Sequence, residues 1–254
     1  MDSNVRAGEF VENESGEMVN QGVISVINDG GNINITGGTL EAPTVSITNT
    51  NKGGSLTTKA NINASKIALI ENAGNGDMTV GGDITGGKIL LENQTYDIVA
   101  EVAGECNNAL TISRLDAPST NTNGGLIASG NILGETVYIQ NSGVNGITSN
   151  ANVTSQGNVM ITNNNGNINL VSGDISGNNV IVSNSNKAGS LTANANIKAT
   201  NMALIENAGN GNMTVGGNVE GAIASLQNQT YDIETPRMVA ELSLIHISEP
   251  TRPY

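Results

Sequence analysis

Apolar and polar residues alternate along most of this chain in short runs of four to six positions. The segments from Val45 to Thr48 and from Val180 to Val182 are examples, and Asn or Gly interrupts the pattern between runs. Alternation with a period of two over this length indicates short β-strands that bury one face. The pattern therefore predicts an all-β protein.

The apolar positions also recur every 22 residues, which relates Leu56 to Met78 and Ile62 to Ile84. We interpret this step as one coil of about three strands, with each strand in register with its equivalent in the next coil. The prediction is a right-handed parallel β-helix of nine or ten coils, about 45 Å long at roughly 4.8 Å per coil. The structural ladder inside it is predicted to contain Leu56, Ile62, Ile67, Met78, Ile84, Ile89, Ile175, Leu191, Ile197, Met202 and Val219.

A longer repeat contains this shorter one. Ser55-Leu56-Thr57 returns 135 positions later as Ser190-Leu191-Thr192, and the segment 68–76 returns as 203–211. Self-similarity of this kind is typical of architectures whose units stack on their neighbours. We therefore expect residues 23–241 to be β-helix repeats with an internal duplication, preceded by an acidic, poorly ordered or atypical first coil at residues 1–22.

Composition favours the same fold. Aromatic residues make up only 2% of the chain and Trp is absent, which suits a narrow interior filled by aliphatic side chains. The abundant Gly and Asn suit the sharp corners of each coil, because both tolerate backbone conformations that other residues avoid. Asn at the same place in successive coils is also expected to stack its amides into hydrogen-bonded ladders.

The last residues, 242–254, do not continue the alternation. Their first eleven residues resemble the conceptual translation of a transposase sequencing adapter, a common tail on assembled reading frames. We expect this tail to be non-native, and we exclude it, together with His246, from arguments about fold and function.

The net charge of −13 argues against nucleic-acid binding, which needs a basic surface. A single cysteine, Cys106, excludes a disulfide framework and fits a surface protein that crosses an envelope unfolded. No segment of the sequence has the length and apolar character of a membrane-spanning helix, and no signal-peptide pattern is present at the amino terminus.

Candidate chemistry is sparse. Asp77 and Asp83 lie in Gly-rich turns that approach a calcium-binding β-roll, but their equivalents in the second copy are Asn212 and Asn218. Asp97 with Tyr96 and Asp232 with Tyr231 are the nearest approach to a glycosidase pair, and duplication explains them better than catalysis does. The sequence therefore predicts no metal site, no cofactor and no enzymatic activity.

Coils of the form Gly-Asn-Ile-x-(Gly/Ser)-x-x-Val-x-Ile-x-Asn occur at residues 31–51 and 166–186. They resemble the passenger repeats of filamentous-haemagglutinin-type adhesins, a group that includes the large exoproteins of two-partner secretion and leukotoxin-like filamentous adhesins. The resemblance covers about residues 23–241. It implies a secreted or bacterial outer-surface protein that an outer-membrane transporter exports and that binds a host or bacterial cell-surface receptor or glycan.

Three functions fit this pattern. The expected one is a structural and adhesive stalk fragment of a secreted surface adhesin. A passenger of a leukotoxin-like secreted toxin shares the same coils. A carbohydrate-active β-helix enzyme is the third alternative, and it requires a shallow groove of acidic and basic residues along one face.

Overall fold

The computed structural model describes residues 4–8, 10–12, 18–93, 98–99, 113–114 and 124–228, with the side chains of 4–8, 21–93 and 124–228. These residues form 24 β-strands, numbered β1 to β24 in chain order, and no helix. Nearly all of the strands pair in parallel. The chain is thus a parallel β-solenoid with about 22 residues per turn, and the predicted all-β solenoid class is confirmed.

The strands form two main sheets, which we call the broad sheet and the narrow sheet. The broad sheet has 12 strands: β1 (Val5–Arg6), β4 (Val23–Asn28), β6 (Thr39–Asn49), β8 (Asn61–Asn72), β10 (Ile84–Asn93), β14 (Asn131–Asn141), β16 (Asn152–Ser155), β17 (Asn158–Asn163), β19 (Asp174–Asn184), β21 (Asn196–Asn207), β23 (Val219–Glu220) and β24 (Ile223–Asn228). The narrow sheet has eight: β5 (Ile33–Ile35), β7 (Leu56–Thr58), β9 (Met78–Val80), β13 (Gly125–Ala128), β15 (Gly146–Ser149), β18 (Ile168–Leu170), β20 (Leu191–Ala193) and β22 (Met213–Val215). Two antiparallel pairs stand apart: β2 (Phe10–Glu12) with β3 (Met18–Asn20), and β11 (Ile98–Val99) with β12 (Ser113–Arg114).

We call each level of the broad sheet a rung, and the described residues contain nine of them. Rungs 2, 3, 4, 5, 7 and 8 are the single strands β6, β8, β10, β14, β19 and β21, whereas rungs 1, 6 and 9 are each divided into two strands. In rung 1, Val5 aligns with Leu40 and Val23 aligns with Thr44, so the β2–β3 pair lies between the two halves of that rung. Val5 and Arg6 therefore already pair with rung 2.

Most rungs are interrupted near their middle. The register of the pairing shifts between Ala42 and Thr44, between Gly86 and Lys88, and between Gly177 and Asn179. Such bulges bend a strand locally, so each rung has a first and a second segment that meet at a corner. Together with the narrow strand, these segments give the three strands per coil that the alternation predicts.

The interior is filled by aliphatic columns, one residue from each coil. In the first segment of the rungs the column runs through Leu40, Ile62, Ile84, Ile132, Val153, Ile175 and Ile197, and each is at most 1% exposed. Burying an aliphatic side chain of this size contributes about 1.5–3 kcal/mol. Stacking of coils, rather than a single globular core, therefore stabilises the fold.

A second interior column is polar. Every rung ends its second segment with an asparagine, and these residues form what we call the inner asparagine ladder: Asn28, Asn49, Asn72, Asn93, Asn141, Asn163, Asn184, Asn207 and Asn228. Each side-chain Nδ2 donates to the Oδ1 of the next rung's asparagine, with N–O distances from 2.7 to 3.2 Å. The predicted amide ladder is confirmed, and it is continuous through the described solenoid.

The second N–H of the amide explains why asparagine suits this place. Asn72 donates to the backbone oxygen of Gly76 at 2.9 Å, and Asn141 donates to that of Gly143 at 2.8 Å. Asn184 does the same to Ser190 at 3.2 Å. One planar group thus holds its neighbour in the ladder and closes the turn that leads to the narrow sheet.

Candidate binding surface

Most of the predicted structural ladder lies inside the solenoid. Side chains at most 1% exposed are Leu56, Ile62, Met78, Ile84, Ile89, Ile175, Leu191 and Ile197. Val219, in rung 9, is half-buried and packs against this core.

Ile67 is a correction to that prediction. Its side chain is 39% exposed, and its register partner in rung 4 is Lys88, whereas Ile89 pairs with Ala68. Rung 3 has one more residue at its corner than rung 4, so the step of 22 fails there and Ala68 takes the interior place. Met202 occupies the same column as Ile67, between Asn179 and Ile223, although its exposure is only 8%.

The two aspartates singled out in the sequence bind backbone and amide groups of the next coils. Asp77 Oδ1 accepts from the backbone N of Gly125 at 2.8 Å and from Asn145 Nδ2 at 3.3 Å. Asp83 Oδ1 accepts from the backbone N and the Nδ2 of Asn131, at 2.8 and 3.0 Å. Both carboxylates thus act as links between coils.

Asp83 belongs to a second polar column, which we call the outer ladder, at the exposed start of the rungs: Asn61, Asp83, Asn131, Asn152, Asp174, Asn196 and Asn218. Each side-chain oxygen accepts from the backbone or side-chain nitrogen of the following rung, at 2.8 to 3.2 Å. Both Asp and Asn therefore occur in this column.

Within the described residues, no group of three or more His, Cys, Asp or Glu side chains is placed to hold a metal ion. The described part of the chain also has no helix long and apolar enough to cross a membrane. Cys106, His246, the two Tyr-Asp pairs at 96–97 and 231–232, and the tail 242–254 lie outside the described residues.

Sequence reasoning missed an apolar column on the outer face of the second segments. It runs through six successive rungs as Leu69, Leu90, Tyr138, Met160, Ile181 and Leu204, all half-buried. Ser46 and Ser225 bound it at rungs 2 and 9. The register after each corner decides whether a residue of the second segment faces outward or inward. The 22-residue period alone does not predict that orientation.

Two adjoining grooves open along the corner between the segments. The one that spans rungs 3 to 5 has a volume of about 410 Å³, and the one nearer rung 1 about 480 Å³. Ser65 lines both. The second groove contains the exposed ion pair of Arg6 and Glu41, with 3.1 Å between Nε and Oε1.

The groove on rungs 3 to 5 we call the corner groove. Lys66 on rung 3 and Lys88 on rung 4 line it, with Glu135 and Thr136 on rung 5. Tyr138 also lines the groove, and the Lys88 Nζ lies 5.5 Å from the centre of its ring. The groove thus combines two cations, hydroxyl groups, one carboxylate and an aromatic ring.

Comparison of the chain with models of protein families, with curated proteins and with solved structures finds no match. The arrangement of its own residues therefore carries the functional argument.

Proposed function

We propose that this chain is part of the structural and adhesive stalk of a secreted bacterial surface adhesin, without enzymatic activity. It attaches the cell that carries it to host or neighbouring cells through a receptor or glycan. The resemblance of its coils to filamentous-haemagglutinin-type passengers supports secretion through an outer-membrane transporter.

The observation that carries this proposal is the in-register stacking of nine rungs, tied from one end to the other by the inner asparagine ladder. A solenoid of this kind lengthens by repetition, since each coil contacts only its neighbours. Its outer faces repeat side chains at about 4.8 Å along the rod. A stalk needs both properties: reach from the cell surface, and a large surface that a partner contacts over several coils.

The fold supports attachment that depends on the folded rod. The full 254-residue chain, coupled to beads, is expected to bind epithelial or bacterial cells, and Asn194→Asp is expected to bind them equally. Ile197→Asp adds the same charge in the interior and removes a buried aliphatic side chain, so it is expected to lose binding. Counting bound cells by microscopy measures the effect.

Two results would contradict the proposal. Equal attachment by wild-type and unfolded variant would show that adhesion is non-specific, and no attachment by wild-type would remove the adhesive role. Release of reducing sugars from a pectin or host-glycan panel would favour the carbohydrate-active alternative instead. Killing of host cells by the purified chain would favour the toxin passenger.

A further inference from the structure

The corner groove lies where rung 4 has two glycines at its corner. Rung 4 has Gly86 and Gly87 there, whereas rung 3 has Ser65 and Lys66 beside them. A Cβ added at Gly87 would lie 2.7 Å from the backbone oxygen of Lys66. Glycine thus allows the two backbones to approach closely beside a groove of about 410 Å³, within the range of sites that hold small molecules, about 300–1,000 Å³.

Two cations line this depression on an otherwise acidic chain. Lys66 and Lys88 lie on neighbouring rungs, which are about 4.8 Å apart, and both side chains are exposed. The ion pairs seen between described residues include Arg6 with Glu41 and Lys198 with Glu220, and both involve other cations. Because Lys66 and Lys88 are exposed at the groove, an anionic ligand can reach their ammonium groups.

The other groups of the groove are those that recognise a sugar. Ser65 and Thr136 offer hydroxyl groups, and the Glu135 carboxylate accepts hydrogen bonds. The Tyr138 ring provides an apolar surface and holds the Lys88 ammonium beside the groove. A small inorganic anion gains nothing from Glu135, which repels it, whereas a saccharide hydroxyl donates to that carboxylate.

The internal duplication provides a comparison. The second copy, 135 positions later, has Asn201 in place of Lys66, Ala222 in place of Gly87 and Ile223 in place of Lys88. Much of the surrounding sequence is identical, including the segments 68–76 and 203–211. The two lysines are thus not required by the coil, since the second copy has Asn and Ile in their places; at Ala222, which replaces Gly87, rung 9 is divided into β23 and β24.

We propose that the corner groove binds an acidic saccharide. Lys66 and Lys88 hold its carboxylate or sulfate group, Glu135, Ser65 and Thr136 bind its hydroxyls, and Tyr138 contacts a sugar face. The inference adds a ligand class to the proposed adhesive function, and it rests on that function only for the source of the saccharide on a cell surface.

The test is calorimetric titration of the full chain with a trigalacturonate oligosaccharide. The matched probes are the neutral galactose trimer and inorganic phosphate. Wild-type chain is expected to bind trigalacturonate at least tenfold more tightly than either probe. Raising the salt from about 0.05 to 0.5 M should weaken binding severalfold, because exposed charges are then screened.

The variant with Lys66→Asn and Lys88→Ile, which installs the residues of the second copy, is expected to lose at least tenfold in affinity. Its control is Lys59→Asn with Lys187→Asn, which removes the same charge from lysines outside the groove and should change affinity less than twofold. Glu135→Gln, which keeps a hydrogen-bonding oxygen, should retain most of the binding. Circular dichroism and thermal midpoints will show that all variants fold.

Three outcomes would overturn the assignment. These are no saturable binding of trigalacturonate, equal loss in the groove and control variants, and equal affinity for inorganic phosphate, which would reveal a simple anion site. Cell attachment without trigalacturonate binding would refute the groove and leave the adhesive stalk intact. Trigalacturonate binding without cell attachment would support the groove assignment and refute the adhesive stalk.

Discussion

The inner asparagine ladder and the outer ladder use similar groups at nearly the same spacing, yet they tolerate different residues. In the inner ladder the seven asparagines from Asn49 to Asn207 are at most 1% exposed, and every position is Asn. In the outer ladder, which is exposed, Asp83 and Asp174 alternate with asparagines and make the same kind of bond to the next rung. Within these two ladders, Asp therefore occurs only at exposed positions.

The physical reason is the cost of a buried charge. In water a carboxylate keeps its hydration and accepts a hydrogen bond from the neighbouring rung, so Asp and Asn are nearly equivalent. In the interior a carboxylate loses hydration and has no N–H to donate to the next asparagine or to the turn. The following predictions test this contrast, from the largest expected effect to the smallest.

The largest effect is expected for Ile197→Asp, because Ile197 is 1% exposed and stacks between Ile175 and Val219. A charge in this aliphatic column should destabilise the chain by about 4 kcal/mol or more. Asn194→Asp, three residues away on the outside, should cost less than about 0.5 kcal/mol. Thermal and urea midpoints measure both, and equal midpoints would contradict the assignment of inner and outer faces.

Within the inner ladder, Asn163→Asp tests the amide itself. Asn163 accepts from Asn141 at 2.7 Å and donates to Asn184 at 3.0 Å, and an aspartate can only accept. The free energy of unfolding of this variant is expected to fall by about 3 kcal/mol.

The matched control is Asn218→Asp in the outer ladder, because Asn218 adjoins Asn196 and its equivalent in the first copy is Asp83. We expect a change below about 0.5 kcal/mol by urea denaturation. A loss in this control as large as that of Asn163→Asp would show that bonding between rungs, and not burial, sets the cost.

A third variant tests the turn that the inner ladder holds. Gly146 has a φ of +74°, and a Cβ there would collide with the backbone oxygen of Asn167. Gly146→Ala is therefore expected to lower stability by about 1–3 kcal/mol. Gly30→Ala, at a position with no atom within 4 Å of the new Cβ and no positive φ, should be nearly neutral in the same thermal assay. A neutral Gly146→Ala would mean that the turn is free to relax.

The smallest effect is expected on the outside. Lys198 and Glu220 form an ion pair between rungs 8 and 9, at 3.7 Å from Nζ to Oε2, with both side chains more than half exposed. Lys198→Ala should change stability by less than about 0.5 kcal/mol, because solvent screens such pairs. A shift in the urea midpoint equivalent to more than about 1 kcal/mol would contradict the view that outer contacts contribute little.

Much of the solenoid could be predicted because its pattern is local. Alternation identifies strands, and the step of 22 identifies the coil, since each coil must return to the same position to stack on the last. The amide ladder also follows from asparagines that recur near strand ends. Ile67 was assigned wrongly because a corner accepts one extra residue, and the interior column then continues at Ala68.

Lys66 and Lys88 are one coil period apart, but the corner groove as a whole could not be predicted, because its residues on rung 5 are 48 positions from their partners on rung 4. Leu90 and Tyr138 are register partners although they are 48 positions apart, more than two coil lengths in sequence, because β10 pairs directly with β14. The chain between Asn93, where β10 ends, and Gly125, where β13 begins, is longer than the connections in the neighbouring coils, so sequence distance and spatial distance separate there.

The sequence by itself determined the all-β class, the coil length, the duplication and the chemistry of the interior, because each follows from short-range periodicity and from the cost of burying polar groups. Only the tertiary structure decided which residues face outward after each corner, and that rungs 4 and 5 are neighbours although their register partners are 48 positions apart. Those two facts create the outer apolar column and the corner groove. On stacked coils, hydrogen bonding between rungs decides which residues are neighbours on the surface, and the order of residues along the chain does not.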